Sequence, residues 1–344
     1  TNAAPTDAYR GAGKPEAQYL VERLIDKAAT ETGLGAIAFR QKNLIPPSKM
    51  PYTAANGFPY DSAHFEQAMM AGVKAADWVG FPARRAASEA KGLKRGIGID
   101  VVEGDTAQVK TGGGTGGSSS LPIAGVTILK ATDALIDLAK AQAAEQLETA
   151  IGDIEYGNGG FTVIGTDKRI SLIELAVAQP TEGEKLCGMA DSDHETQTVP
   201  HGAYIAEVEV DPETGHVALV ALTAADDLGR RVNPMIAEGQ IHGGLAQAIG
   251  QAMFERTIFD PDTGQLLSGS FMDYQLPRAG DLPNFDLHDV DIPTDNNVLG
   301  MKGVGENASI GGPAAVINAI ADALGTQDID MPMTPERVWR ALSR

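Results

Sequence analysis

The chain has 344 residues, of which 43% are hydrophobic and 21% charged, a composition that is ordinary for a globular protein. Acidic residues outnumber basic ones 46 to 27, and the formal net charge of -19 makes nucleic acids and anionic membranes poor partners. The single cysteine, Cys187, excludes a disulfide framework, a thiolate zinc site and a cysteine-ligated iron–sulfur cluster formed within this chain. No apolar run approaches the ~20 residues of a membrane span.

The first half of the chain is predicted to be mostly helical. Pro15 suits a first helical position, and the apolar spacing after it predicts a helix over 15–32 that Gly33 ends. A second helix is predicted over 60–81, with Asp61 or Ser62 as its N-cap. Residues 95–102 form a short β-branched run that predicts a buried strand. A long alanine-rich helix is predicted over 122–150, with an apolar stripe at Ile128, Ala131, Leu135, Leu138 and Ala139.

The second half alternates between strands and helices. Two short strands are predicted around residues 157–160, and Ser171 is predicted to cap a helix. Period-two alternation on both sides of residues 211–215 predicts a hairpin, which a helix over 234–255 and a second hairpin around 260–264 follow. A last helix is predicted from Pro313 to Leu324. Helices and mostly antiparallel strands without regular βαβ alternation indicate the α+β class, and a loose boundary near residue 152 suggests domains 1–152 and 153–344.

Two glycine loops precede helices and could present backbone N–H groups to an anion. In the first, Gly11 and Gly13 allow close approach to a ligand and Arg10 adds a fixed positive charge. A tight loop with a solvated arginine is the alternative. The second, residues 112–120, offers successive amides and three serine hydroxyls but lacks the lysine of a P-loop, which disfavours nucleotide hydrolysis. A flexible linker is the alternative there.

A third glycine loop, residues 302–312, is nearly uncharged and carries Glu306. A carboxylate held close to a ligand in such a loop could act as a general base, whereas the alternative is a surface glutamate before a helix. The six histidines show no metal-ligand spacing, so no zinc site is expected.

Six motifs occur in the order seen in one known family. They are AYRGAGKPEAQYLVERLID, GDTAQVKTGGGTGGSSS, AEVEVDPETGHV, DDLGRRVNPMIAEGQIHGGLAQAIGQAMFE, FMDYQLPRAGDLPNF and LGMKGVGENASIGGPAAVINAIADALG. On these motifs the chain resembles the molybdenum-cofactor-binding large subunit of the xanthine dehydrogenase, aldehyde oxidase and carbon monoxide dehydrogenase family. The resemblance covers nearly the whole chain and implies that family's α+β cofactor-binding fold, with a molybdopterin-binding subdomain on each side of residue 152.

The resemblance implies a molybdenum hydroxylase, which adds water-derived oxygen to an aldehyde or an N-heterocycle, with Glu306 matching the catalytic base. The molybdenum would be held by a molybdopterin dithiolene, in the plain or the cytosine dinucleotide form, and by no residue directly. Electrons would leave to 2Fe-2S clusters and FAD on partner chains. The matching cofactor-binding positions are Tyr9, Arg10 and Gly11 beside the metal, Gly116, Gly117, Ser118, Ser119 and Ser120 around the pterin and its phosphate, and Gln240.

The chain departs from the family pattern in several places. It begins where such a subunit is about half complete, so another molybdopterin-binding chain is an expected partner. The family's Gly–Gln–Gly loop is missing, and Val102 runs directly into Glu103, which suggests an absent internal segment. The active loop of the carbon monoxide enzymes is not visible, so carbon monoxide oxidation is unsupported.

Two other functions therefore stay open. One is a non-catalytic scaffold or assembly subunit of the same fold, and the other is an anion- or nucleotide-binding protein that uses the loop at 112–120. The expected compartment is the cytoplasm, with the periplasm as the alternative.

Overall fold

The computed structural model describes residues 9–55, 57–103, 118, 120–178, 186–190 and 198–343. The chain divides into two compact units, of which the first comprises Thr1–Ser119 with Thr196–Arg344 and the second Ser120–Glu195. This division differs from the suggested boundary near residue 152, because the second unit lies within the sequence of the first. The assignment of molybdopterin-binding subdomains to 1–152 and 153–344 stays a prediction.

The helices and strands are numbered in chain order. The helices are α1 (Lys14–Glu31), α2 (Ala36–Asn43), α3 (Phe65–Ala75), α4 (Phe81–Glu89), α5 (Ser120–Gln146), α6 (Leu172–Val177), α7 (Pro234–Ile249), α8 (Asn307–Leu324) and α9 (Pro335–Leu342). The strands are β1 (Tyr52–Thr53), β2 (Pro59–Tyr60), β3 (Lys94–Glu103), β4 (Ile154–Gly157), β5 (Gly160–Val163), β6 (Arg169–Ser171), β7 (His201–Val210), β8 (Val217–Asp227) and β9 (Phe285–Asp289). A π-helical turn at Gly250–Phe254 extends α7.

A four-stranded sheet forms the centre of the first unit, in the order β3-β7-β8-β9. Its first three strands are antiparallel, and β9 lies parallel to β8. Strand β7 is buried on both faces, because Tyr204 and Ala206 pack in a cluster with α7 and α8 whereas Ala203 and Ile205 pack against α3. The sheet is therefore a middle layer between two layers of helices.

Helix α8 approaches strand β3 so closely that two glycines are needed. A Cβ at Gly96 would lie 1.9 Å from the carbonyl oxygen of Ala319, and a Cβ at Gly98 would lie 2.3 Å from the nitrogen of the same residue. Nearly every residue of α8 is buried, including the polar side chains of Asn307 and Asn318. This helix directly follows Glu306, so the predicted catalytic loop is attached to an almost completely buried element.

The second unit has its own core. Strands β4, β5 and β6 form an antiparallel sheet, and Ala139 and Ala143 of α5 pack with Ile154, Phe161 and Leu175. Ser171 caps α6 with a full capping box to Glu174, as predicted.

Several sequence-based expectations were confirmed. The helix after Pro15, strand β3, the strands around residues 157–160, the hairpin of β7 and β8 and the helix after residue 234 all form. None of the helices that the structure describes is long and apolar enough to cross a membrane.

Other expectations were wrong at their boundaries. The helix predicted over 60–81 breaks after Ala75, because Asp77 adopts a left-handed conformation (φ 46°) and its side chain accepts a hydrogen bond from the Gly80 amide. Asp61 and Ser62 do not cap it, since α3 begins only after His64. The last helix begins at Asn307 rather than at Pro313, because the Glu306 carbonyl accepts hydrogen bonds from the amides at positions 309 and 310.

Two further expectations were met in a reduced form. The long alanine-rich helix forms as α5, and of its apolar stripe Ala139 is buried whereas Ile128 is 65% and Leu138 50% exposed. The second hairpin is short, with one antiparallel bridge between Phe259 and Leu266 and backbone hydrogen bonds on either side of it.

Candidate functional site

The loop before α1 turns sharply at Gly11. This residue is buried and has a φ of +92°, a backbone conformation that favours glycine. A Cβ there would lie 2.8 Å from the Cδ and Cγ atoms of Pro15, so the loop cannot hold a side chain at this position. Tyr9 precedes the turn and is 72% exposed.

The guanidinium of Arg10 links three distant segments of the chain. Its Nε donates a hydrogen bond to the carbonyl oxygen of Gly305, and its Nη2 donates to the backbone and side-chain oxygens of Gln240, each at 2.9 Å. Burial lowers the pKa of Arg10 from its usual value, while the charges of Tyr9 and Glu306 act in the opposite direction. Two residues that the sequence singled out separately, Arg10 and Gln240, are therefore direct partners.

Glu306 is paired with a cation from outside its own loop. Its Oε2 lies 3.1 Å from Nζ of Lys14, and these side chains are 17% and 27% exposed. Lys14 is the first residue of α1, and Glu306 directly precedes the first residue of α8. The start of α8, whose partial charge favours an anion, thus lies next to Glu306.

The loop that carries Glu306 is anchored by a buried ion pair. Nζ of Lys302 lies 2.7 Å from Oδ2 of Asp227, with both side chains fully buried, and it also donates to the carbonyl oxygen of Ser62 at 3.1 Å. Oδ1 of Asp227 accepts hydrogen bonds from the amides of Gly229 and Ile292. Burial raises the pKa of Asp227, and the ammonium of Lys302 opposes this shift. These contacts fix the loop four residues before the candidate base.

His201 lies beside this ion pair. Its Nδ1 is 3.4 Å from Oδ2 of Asp227. Burial, with a smaller contribution from the charge of Lys302, lowers the pKa of His201 to about 3. The imidazole is therefore neutral at neutral pH, and Asp227 has Lys302 as its cationic partner.

A second group of buried polar side chains lies on the other side of the candidate base. Asn307 donates a hydrogen bond to Oδ1 of Asp226 at 3.4 Å, and the Tyr204 hydroxyl donates to the same oxygen at 2.6 Å. Burial raises the pKa of Asp226 to about 7 and that of Tyr204 well above its usual value. The residues on both sides of the loop at 303–306 are thus held by buried aspartates of β8.

Of the predicted serine cluster, Ser118 reaches this loop. A Cβ at Gly303 would lie 2.6 Å from Cβ of Ser118, and a Cβ at Gly305 would lie 3.0 Å from its Oγ. The loop and the serine can approach this closely only because both loop positions are glycines. Ser120 begins α5, and its side chain is not among those described. The predicted positions Gly116, Gly117 and Ser119 lie outside the described residues.

A cleft of about 510 Å³ opens beside Arg10. Its lining includes Tyr9, Gly13, Glu255 and Tyr274. The Tyr274 hydroxyl donates to Oε2 of Glu255 at 2.6 Å, and burial together with this carboxylate raises the pKa of Tyr274 to about 12. A Cβ at Gly13 would meet no atom within 4 Å, so the backbone of the glycine loop faces open space there.

Sequence reasoning missed Lys14 and the partner of Lys302. A signal for Lys14 was available, because a cation at the first position of a helix opposes the helix dipole and suggests a nearby anion. For Asp227 the signal was the pair of adjacent aspartates that ends the apolar β8 strand, where alternation would place only one polar residue. Within the described parts of the chain, no three His, Cys, Asp or Glu side chains are grouped to hold a metal ion.

The chain is similar to subunits of several oxidoreductases. It is 30% identical to the gamma subunit of the 6-hydroxypseudooxynicotine dehydrogenase complex of Paenarthrobacter nicotinovorans, over 98% of this chain and 52% of that subunit. It is 31% identical to the carbon monoxide dehydrogenase large chain of Hydrogenophaga pseudoflava, over 99% of this chain and 53% of that one. Among solved structures, quinoline 2-oxidoreductase of Pseudomonas putida 86 superposes with a TM-score of 0.88 at 27% identity, over 100% of this chain and 54% of that one.

The chain spans about half the length of the curated relatives it matches. The first alignment covers 416 positions, more than the 344 residues of this chain, so the relative contains segments without a counterpart here.

Two family models, both described as a molybdopterin cofactor-binding domain, match residues 98–283 and 1–44. The first match alone includes more than half of the chain, as well as Ser118 and Gln240 of the site described above. The second includes Arg10, Gly11 and Lys14. The chain belongs to the family of molybdopterin cofactor-binding domains.

Proposed function

We propose that this chain is the molybdopterin-binding part of a molybdenum hydroxylase that oxidises an aldehyde or an N-heterocycle with oxygen derived from water. In this proposal Glu306 is the general base. The observation that carries it is the convergence of Glu306, Arg10, Gln240 and Ser118, from four distant segments, at one place in a cofactor-binding fold. The relative named quinoline 2-oxidoreductase supports an N-heterocycle as one substrate class.

The described residues fit a molybdopterin. The backbone of Gly13 faces open space beside the cleft at Arg10, and Ser118 brings a hydroxyl group against the glycines of the loop at 303–305. The start of α8 provides backbone N–H groups suited to an anionic group. We propose that Tyr9, Arg10, Gly11, Gln240 and the serines at 118–120 hold the cofactor, together with Gly116 and Gly117.

When bound, the cofactor would supply the two-electron acceptor and the site at which water is activated. The chain's own residues would orient the reacting groups, and Glu306 would accept the proton. Arg10 joins Gln240 to the carbonyl oxygen of Gly305 and so fixes the loop on which Glu306 stands. Lys14 holds Oε2 of Glu306, which leaves Oε1 to accept the proton that the oxidation releases.

The electrons need carriers outside this chain. One cysteine cannot ligate an iron–sulfur cluster, so we propose an iron–sulfur subunit and an FAD subunit as partners, with a further molybdopterin-binding chain. The cytosine dinucleotide form of the cofactor is part of this proposal. A chain with one cysteine needs no oxidising compartment to fold, and we propose the cytoplasm as its location.

A non-catalytic scaffold of the same fold is the second candidate. It is favoured by the alignment, in which the relative contains segments that this chain lacks. The two functions differ in whether molybdenum and turnover are present in the assembled complex.

The test is the metal content and turnover of the complex isolated from its native source with the chains that accompany it. We expect about one molybdenum per chain and iron on a partner. Benzaldehyde and quinoline, with ferricyanide as electron acceptor, serve as probes of turnover. Glu306→Gln should lower kcat by about 100-fold or more with molybdenum retained, which is the usual contribution of a general base.

Glu213→Gln is the matched control, because this glutamate lies in the turn between β7 and β8. Full turnover in Glu306→Gln would refute the assignment of the base. A well-folded complex without molybdenum would support the scaffold instead.

A further inference from the structure

The position of Lys14 in its ion pair with Glu306 is not explained by the stability of α1. Lys14 is the first residue of α1, where the partial positive charge of the helix start opposes a cation. Its Nζ nevertheless lies 3.1 Å from Oε2 of Glu306. The lysine therefore sits where it is unfavourable for its own helix and favourable for the carboxylate of another segment.

The other two cations near the site have other partners. Arg10 donates to the carbonyl oxygen of Gly305 and to both oxygens of Gln240. Lys302 is buried against Asp227. Among the described residues, Lys14 is thus the cation whose hydrogen bond reaches the Glu306 carboxylate.

The contact fixes one of the two carboxylate oxygens. Oε2 accepts from Lys14, whereas Oε1 accepts no hydrogen bond from the described residues. The Glu306 backbone is fixed as well, since its carbonyl oxygen accepts from the amides of Ser309 and Ile310 and from the Ser309 hydroxyl. With the backbone and one oxygen held, the remaining freedom of the side chain is small.

We propose that Lys14 is a positioning residue for the general base. It orients the carboxylate of Glu306, so that Oε1 is the oxygen that accepts the proton. This inference rests on the proposed function, because it assigns a role toward the proposed base. It goes beyond that function in naming a residue outside the predicted cofactor-binding set.

The first test compares variants of the assembled complex. Lys14→Met should lower kcat by about 10- to 100-fold, since a small displacement of a catalytic group has effects of this size. KM should change by less than about threefold, because ground-state binding is not altered. Lys14→Arg, which keeps a cation at this position, should recover turnover to within about fivefold of the wild type.

Two controls separate positioning from a loss of cofactor or fold. Lys27→Met removes an exposed lysine of the same helix and should leave turnover unchanged. The molybdenum-to-protein ratio should be the same in all variants. In the Glu306→Gln background, Lys14→Met should have no further effect on kcat, because the two residues act as a unit.

A second measurement does not depend on turnover. The equilibrium unfolding of the full chain is measured for Lys14→Met, Glu306→Gln and the double variant. Direct contact predicts that the unfolding constants deviate from additivity by about two- to fivefold, as expected for a partly exposed ion pair. Lys27→Met combined with Glu306→Gln should be additive.

The outcomes distinguish this inference from the proposed function. An inactive Glu306→Gln with a Lys14→Met variant within twofold of wild-type kcat would overturn the role of Lys14 alone. The role of Lys14 would also be overturned if turnover in Lys14→Met fell only in proportion to its molybdenum content. Additive effects of Lys14→Met and Glu306→Gln on unfolding would overturn it as well. Full activity in Glu306→Gln would instead refute the proposed base. If the wild-type complex oxidises neither probe, the unfolding cycle decides whether Lys14 holds Glu306.

Discussion

The substitution Lys302→Met tests how the candidate catalytic loop is held. The ammonium of Lys302 and the carboxylate of Asp227 are 2.7 Å apart, and both side chains are fully buried. Removing one member of such a pair leaves an uncompensated buried charge, and we expect a loss of about 3–5 kcal/mol in the free energy of unfolding. The two backbone amides that donate to Asp227 remain, which favours the lower end of this range.

Urea unfolding followed by tryptophan fluorescence is a suitable assay. Both tryptophans, Trp78 and Trp339, lie in the first unit, so the signal reports the unit that contains the ion pair. Lys74→Met, at an exposed position of α3, is the control and should stay within about 0.5 kcal/mol of the wild type.

The double variant Lys302→Met with Asp227→Asn gives the sharper result. It removes both charges, so it should be at least about 1 kcal/mol more stable than the sum of the single effects predicts. A cost below about 1 kcal/mol for Lys302→Met would contradict the reasoning, because it would mean that Asp227 finds other compensation when its cation is lost.

Four further predictions concern stability. Gly98→Ala should cost about 1–3 kcal/mol in urea unfolding, because its Cβ would clash with the backbone of α8; an unchanged midpoint would mean that the helix can move away. Asp226→Asn should gain stability relative to the wild type as the pH rises from about 4 to 7, since the pKa of Asp226 is raised to about 7 and the folded state keeps a proton that the unfolded state has lost. His201→Asn should show the opposite trend, because the pKa of His201 is lowered to about 3 and the wild type loses stability as the pH falls below about 6.5. For each variant, the difference in the free energy of unfolding from the wild type should change by up to about 1.4 kcal/mol per pH unit. A difference that does not change with pH would refute the corresponding prediction. Ser171→Ala should cost about 1 kcal/mol in the second unit, detected by thermal unfolding.

Local sequence patterns predicted most of the regular elements. The hairpin of β7 and β8 follows from period-two alternation and a turn, and helix α1 from apolar spacing after a proline at its start. Motif order predicted the family and the general place of Glu306. These features are encoded over short stretches, where propensity and burial agree.

The rest depends on contacts between distant residues. No local pattern shows that Lys14 pairs with Glu306, 292 positions away, or that Arg10 bonds Gln240. The early start of α8 also escaped prediction, because glycines and a proline mark a loop locally while burial against β3 stabilises a helix. The second predicted helix ends early because Asp77 has a positive φ, and an aspartate in the sequence does not by itself predict that conformation.

The enclosure of α8 also bears on the motions that Glu306 can make. Backbone amides in such a fully packed helix exchange with solvent hydrogen only when the surrounding core opens, whereas amides of exposed loops exchange through local fluctuations. Glu306 precedes this helix directly and is joined to it by the hydrogen bonds of its carbonyl oxygen. Displacement of the carboxylate by movement of its backbone would therefore require the free energy of opening the core, so that the side-chain torsions alone remain to adjust Glu306 during a reaction.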